Sequence, residues 1–272
     1  MTNKSKVCFI TAIYGNYELS CKSFVIQTIP TDFICFTDNP NIIANNWIID
    51  TTPYHLINKN TIDTNNYINS ITNNTHTFNI AKYYKMSFQC IPRLKEYDVI
   101  IWLDGTISII YDKVSEYILN NIYQYKIIGW NHEYRHGILI NEVKASDDIN
   151  FRYTTTFWNN QIQPFQDINK QYDDYINDGY NDEYFKKKNH YSQHFGVWIT
   201  CFVAFLNNDI DVHNFLKLWY YEILTHTTQD QISFSYICQK TNLLPLTLPN
   251  CEIKGDTPHF KTMFYIKNEH GC

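Results

Sequence analysis

Within residues 98–103 (Asp-Val-Ile-Ile-Trp-Leu) the five that follow Asp98 are apolar at consecutive positions, without the alternation expected of a strand that has one wet face. A run this short and β-branched reads as a strand covered on both sides, and such strands belong to sheets sandwiched between helices. Further apolar runs occupy residues 6–13, 33–36, 47–49, 126–130 and 196–206. Tyr14-Gly15-Asn16 stops the first, and the turn cluster Thr37-Asp38-Asn39-Pro40 stops the second. Between the runs, Phe78, Ala81, Tyr84/Lys85 and Phe88/Gln89 fall at helical spacing from Thr77, with Pro92 as the stop. Val114, Ile118 and Leu119 suggest a second helix. Val212, Phe215, Leu216, Trp219 and Ile223 predict another over 211–225, and one more begins near Asp230. Strands alternating with helices predict an α/β domain with a mostly parallel central sheet.

The chain has 272 residues and no Pro/Gly/Ser-rich linker, so one domain spanning 1–272 is expected. Residues 58–76 are polar and aperiodic and read as a mobile loop; 145–190 are polar and Tyr-rich with weak helical signals; the tail from Leu243 is Pro-punctuated and irregular. No internal repeat is present. The 22 Tyr would suit stacking on sugars or bases, but Asn, Ile, Lys and Tyr are abundant together, as AT-rich coding produces. Such coding would suit a protist, a bacterium or a large DNA virus.

Formal net charge is −5 with the charges dispersed, which argues against nucleic acid as a partner; Lys186-Lys187-Lys188 reads as a solvated loop. The eight cysteines show neither Cys-x-x-Cys nor zinc-like spacing. No stretch approaches the roughly 20 apolar residues that span a bilayer, and no apolar leader precedes the first strand. A reduced, cytoplasmic protein is therefore expected, in a host's cytoplasm if the source is viral. On that expectation the sequon at Asn73 means little. His190 and His194 stand four apart, but no Glu follows the first and no third ligand is near. Gly-x-Ser-x-Gly, P-loop and Gly-x-Gly-x-x-Gly patterns are absent.

Ligands of open α/β sheets bind at the carboxyl ends of the strands. Asp104-Gly105 follows the most apolar strand directly, so the Asp104 carboxylate is expected at the sheet's edge, with Gly105 allowing a tight turn and close approach by a ligand. One carboxylate there can hold Mg²⁺ or Mn²⁺ that also grips a diphosphate, because phosphates and waters complete the octahedron. An Asp-Gly pair that merely forms a turn is the competing explanation.

An ordered set of segments carries a resemblance. It comprises Thr11-Ala-Ile-Tyr-Gly-Asn-Tyr-Glu18, Phe33-Ile-Cys-Phe-Thr-Asp38, Ala81-Lys-Tyr-Tyr-Lys-Met86 and Ile101-Trp-Leu-Asp-Gly105. His132 to Arg135 with Glu142, and Asp230-Gln-Ile-Ser-Phe234, complete it. In these the chain resembles GT-A-type glycosyltransferases. The specific likeness is to the nucleotide-sugar glycosyltransferase-like family long known as a domain of unknown function, with plant Golgi members linked to pectin and mucilage and bacterial relatives. The resemblance implies a GT-A-like (Rossmann-like) domain. Residues 1–130 would form the nucleotide-sugar-binding half, and 131–272 the acceptor-side half and C-terminal tail.

It also implies roles. Thr11, Ala12, Tyr14 and Gly15 would line the base and ribose, with Asp38 beside them. Lys85, and with it Lys82, would meet the donor's phosphates. Asp104 would hold the metal, Mn²⁺ or Mg²⁺, although Thr106 replaces the second acid of the usual Asp-x-Asp signature. His259 or His270 could add an imidazole, a ligand that favours manganese. Asp230 or Glu142 would serve as general base if the enzyme inverts. His132, Arg135 and Gln231 would face the acceptor. The implied activity moves a sugar from a nucleotide diphosphate donor, UDP-linked, to a hydroxyl of a glycan, protein or small molecule. A scaffold that binds such a donor or a glycan without turnover is the alternative. A sugar-1-phosphate nucleotidyltransferase fits less well, because residues 14–16 offer one Gly and no basic residue.

Overall fold

The computed structural model describes residues 6–53, 77–148, 153, 155, 157–158, 161–162, 165–188, 195–248 and 264–266. The expected loop at 58–76, Asn73, His190, His194, His259 and His270 lie outside them.

The apolar runs are strands. In chain order they are β1 (Val7–Ile13), β2 (Thr31–Thr37), β3 (Ile48–Asp50), β4 (Val99–Leu103), β5 (Ile107–Ile109) and β6 (Ile127–Asn131). Then follow β7 (Phe157–Trp158), β8 (Gln161–Ile162), β9 (Trp198–Leu206), β10 (Leu246–Leu248) and β11 (Phe264–Ile266). The helices are α1 (Thr77–Met86), α2 (Val114–Tyr125), α3 (Leu139–Asp148), α4 (Ile168–Asn177), α5 (Glu183–Lys188), α6 (Ile210–Thr225) and α7 (Asp230–Thr241).

Among the described residues seven strands form one sheet in the order β10-β6-β9-β4-β1-β2-β3. Every neighbouring pair is parallel except those of β9, which runs antiparallel to both β4 and β6. The expected single α/β domain with a mostly parallel sheet is what the chain forms. The reversed β9 could not be read beforehand, since an unbroken apolar run looks the same in either direction.

Side chains alternate across β4, as the period of two requires. Ile100 and Trp102 join Cys8, Ile10, Ile34 and Phe36 in a core covered by Tyr83 and Tyr84 of α1, Trp219 of α6 and Phe234 of α7. Val99, Ile101 and Leu103 join Phe9, Phe33 and Cys35 under Val114, Ile118 and Ile122 of α2. The start of β4 is tethered by Asn207, whose amide donates to the carbonyls of Leu94 (2.9 Å) and Tyr97 (2.8 Å). The carboxyl ends of β1, β2, β4 and β6 therefore share one rim. The reversed β9 brings its first residues there too, with Trp198 opposite Asn131.

Three sequence readings need correction. α1 stops at Met86, well before Pro92, which instead opens a 3₁₀ turn, Pro92–Glu96. At that first position its missing N–H costs nothing. Lys186-Lys187-Lys188 closes α5 and does not form a loop, the end of a helix dipole that favours cations. The tail after Leu243 contains β10, which pairs in parallel with β6 at the sheet's edge. Among the described residues no helix is long and apolar enough to cross a membrane.

Candidate active site

Asp104 is the residue just past β4, and the sheet fixes its backbone. Its N–H donates to the Cys201 carbonyl on β9 (2.8 Å), and the Ile107 N–H donates back to its own carbonyl (3.0 Å), closing a turn. That turn leaves little space for a side chain at Gly105. A Cβ there would lie 3.2 Å from Ile13 Cγ1, while Gly105 does not share the left-handed φ of Gly15, at 66°. The Asp104 side chain is 43% exposed. Trp102, two residues back and so on the same face, donates its indole N–H to Asp104 Oδ1 at 2.6 Å.

Beside this carboxylate stand two lysines. Lys82 and Lys85 lie one turn apart on α1, which packs against β1, and both reach Oδ2 of Asp230 at the start of α7. The Lys82 contact is 2.7 Å. The other oxygen of Asp230 accepts from the Thr200 hydroxyl at 2.9 Å. Lys85 Nζ also lies 3.7 Å from Asp104 Oδ1, and 5.5 Å from the ring centroids of both Trp102 and Trp219. The Trp219 indole N–H donates to the Asp230 carbonyl and to Ser233 Oγ, 3.1 Å each, which fixes the start of α7.

Burial works against all three charges of this triad, and the outcome differs among them. Burial disfavours ionised Asp230, yet Lys82 and Lys85 outweigh it and hold the carboxyl well below the usual carboxylate range. Burial also opposes the Lys85 charge, but Asp230 and Asp104 together raise its pKa. For Lys82, burial and the like charge of Lys85 prevail over Asp230 and bring the ammonium down to about 8.

A second polar network adjoins the first. Glu142 on α3 is buried, and its Oε1 accepts from Gln231 (2.6 Å), Gln229 (3.0 Å) and Ser146 (3.2 Å). Its Oε2 accepts from Arg135 Nε at 2.6 Å and lies 3.6 Å from His132 Nε2. Burial, and secondarily the Arg135 charge, lower the His132 pKa to about 4, so its ring is neutral at pH 7. Gln231 joins the two networks, since its carbonyl oxygen accepts from the Thr200 N–H (3.3 Å) while its amide reaches Glu142.

Of the expected site residues, the fold gathers Asp104, Lys82, Lys85 and Asp230, with Gln231, Glu142, Arg135 and His132 adjoining. The β1 loop lies at the same rim, with Tyr14, Gly15 and Asp38 engaged in the protein's own bonds. Both oxygens of Asp38 accept from the Gly15 N–H (3.1 and 3.2 Å), and Tyr14 is buried with its hydroxyl 2.8 Å from that of Tyr84. Ala12 packs against the core beneath α1. Thr11 is buried on the opposite side of β1, sharing the parity of Phe9 and Ile13. His259 and His270 lie outside the described residues.

Sequence reasoning missed Trp102, Thr200 and Gln229. Trp102 was legible in principle, two places before Asp104 on a strand. Thr200 was the polar residue inside an otherwise apolar run, a signal passed over.

A divalent cation at Asp104 would find one oxygen, Oδ2, because both contacts that the described residues make with that carboxylate fall on Oδ1. Among the described residues no group of three or more His, Cys, Asp or Glu could hold a metal. Such a donor set fits a cation that draws its other ligands from water and a phosphate, rather than one caged by side chains.

No family model matches the chain, and no curated protein matches it. Two solved structures of glycosyltransferases align with it. The apo WbbM bifunctional glycosyltransferase is 10% identical over 87% of this chain, with a TM-score of 0.46. This chain spans 38% of that protein's length. Apo mouse xyloside xylosyltransferase 1 is 8% identical over 90% of this chain and 84% of its own, also with a TM-score of 0.46.

Proposed function

We propose that this protein transfers a sugar from a nucleotide diphosphate donor, UDP-linked, to a hydroxyl acceptor, with Mn²⁺ or Mg²⁺ at Asp104. The observation that carries the proposal is the half-exposed Asp104 carboxylate at the end of a buried strand, 3.7 Å from an ammonium that is itself buried and clasped. A rim of this kind offers both signs of charge to a ligand that is an anion escorted by a cation. The metal, when bound, supplies positive charge to the departing diphosphate. Lys85, held by Asp230 and two indoles, presents a pre-positioned cation to that same developing charge, and Lys82 adds a second.

Asp230 serves in this reading as the clasp of both lysines. A carboxyl held far below its usual range is a poor proton acceptor, so a base role for Asp230 would require the lysines to release it. Glu142 is likewise committed, to Arg135 and two glutamines. His132 is no better placed, since burial and the Arg135 charge lower its pKa to about 4 and its Nδ1 is buried. A reducing, cytoplasmic setting belongs to the same proposal; the six described cysteines are free thiols.

Binding without turnover is the second reading, favoured by Thr106 standing where a second acid is usual. One assay separates the two: UDP release from a panel of UDP-sugars with Mn²⁺. The proposal expects release by the native chain and its loss in Asp104→Ala with the circular dichroism spectrum unchanged. Full activity in that variant would remove the proposal, and tight donor binding with no release under any acceptor would favour the scaffold.

A further inference from the structure

Between β1 and β2 the chain crosses back over β2 itself. Phe24 stacks on Phe33 of β2 with ring centroids 3.6 Å apart and planes within 4°, and Trp47 meets both rings edge-on at 5.9 and 5.2 Å. Cys21 stands three residues before Phe24, and Cys35 two residues after Phe33 on the same face of β2. The crossing therefore sets the two cysteines against each other, and the Cys35 thiol donates to the Cys21 sulfur. A second acceptor for that thiol, the Phe36 carbonyl, lies at 3.8 Å.

The pairing is specific. Among the described residues, Cys8 and Cys238 lie in the core on the other face of the sheet, Cys201 is on β9, three strands from β2, and Cys90 is exposed in the turn after α1. The backbone at Cys21 is pinned as well. Its N–H donates to the Ile43 carbonyl (2.9 Å), its carbonyl accepts from the Asn45 amide (2.6 Å), and the Lys22 carbonyl accepts from the Trp47 indole (2.7 Å). Both thiols are buried, yet Cys21 lies close to the surface. Leu19 and Ile43, joined beside it by a 3.1 Å hydrogen bond, are 49% and 59% exposed. Local opening of that crossing admits a molecule little larger than water while the sheet stays folded.

The two thiols are unequal. Donation from Cys35 lowers the Cys21 pKa, whereas the same bond and burial raise that of Cys35. The thiolate is the reactive form, so Cys21 is the attacking sulfur and Cys35 the resolving one.

We infer that Cys21 and Cys35 form a redox site that reacts with hydroperoxides and closes to a disulfide within the folded chain. The Cys21 sulfur attacks one peroxide oxygen; the S–O bond forms, the O–O bond breaks, and the departing hydroxide leaves as water with the Cys21 thiol proton. The Cys35 sulfur then attacks the Cys21 sulfur; the S–S bond forms, the S–O bond breaks, and a second water leaves with the Cys35 proton. Two thiols lose two electrons and the peroxide gains them. A small dithiol restores both thiols by exchange and is itself oxidised to a disulfide. In reducing surroundings the pair rests as thiols and the disulfide is transient. The site is independent of the donor chemistry proposed above.

The test treats the full chain with hydrogen peroxide, alkylates the remaining thiols in denaturant, and maps the peptides by mass. One linked pair, Cys21 with Cys35, is expected in most molecules, with the far-UV circular dichroism spectrum unchanged and the link removed by dithiothreitol. The same treatment of the denatured chain should scatter links among the cysteines. In Cys35→Ala the sulfenic acid on Cys21 has no resolving thiol and should be captured by dimedone, whereas Cys21→Ala should leave Cys35 a thiol. Should either variant fail to fold, the native mapping still decides. Recovery of both residues as thiols while Cys90 oxidises overturns the inference, as does either of them linked to a different cysteine in the folded chain, or dimedone on Cys35 in place of Cys21.

Discussion

Lys82 and Lys85 share one oxygen of Asp230, and burial leaves the pair unequal. Lys85 gains a second carboxylate, Asp104, at 3.7 Å and keeps its charge firmly, whereas Lys82 titrates near 8. The groups facing Lys82 are Asp230, Lys85 and Asp104, so a bound diphosphate would be a third anion favouring its protonated form. The sign follows directly. Below about 8 Lys82 is already charged and binding takes up no proton there; above that value the proton must be supplied from solution, and affinity falls as pH rises. Calorimetric titration of UDP with Mn²⁺ should therefore show affinity dropping between pH 7 and pH 9 in the native chain. Lys82→Arg, which stays charged, should flatten that dependence, and Lys82→Met should weaken binding about tenfold to a hundredfold at pH 7. A native affinity that stays level to pH 9 would mean that Lys82 does not meet the ligand.

At the scale of elements, what was legible depended on how local the signal is. The doubly buried β4 announced itself by five consecutive apolar residues, 99–103, and the helical faces of α1 and α6 by spacing. The end of α1 was misread because Pro92 sits in a following 3₁₀ turn rather than at the helix stop. β10 was missed because three residues gain strand character only from their neighbour β6. The site followed the same rule. Asp104 stood out by its place after β4 and Lys85 only through the resemblance, and the clasp of Asp230 on the lysines joins residues 145 positions apart. No local pattern encodes such a contact.

The turn carrying Asp104 tests the element-level account. Gly105→Ala would press a Cβ to 3.2 Å from Ile13 Cγ1. Denaturant unfolding should show a loss of about 1–3 kcal/mol, the usual cost of overpacking. Ile13→Ala in the same chain should make the added cost of Gly105→Ala small, by coupling through the shared space. Equal cost of Gly105→Ala in both backgrounds would show that crowding at the end of β1 is not what demands glycine there.

Across the whole molecule, the parallel sheet collects strand ends at one rim, and the reversed β9 delivers Thr200 between β4 and β6. α7 then lowers Asp230 and Gln231 onto that rim, linking the lysines to the network of Glu142, Arg135 and His132. Donor and acceptor sides of the proposed enzyme would thus share one continuous set of hydrogen bonds. The most direct measurement is a crystal grown with manganese and UDP, with the metal located by its anomalous scattering. The account predicts the anomalous peak in the coordination sphere of Asp104, bridged by diphosphate oxygens that also meet Lys85. A metal and nucleotide bound together at another place on the protein would contradict it.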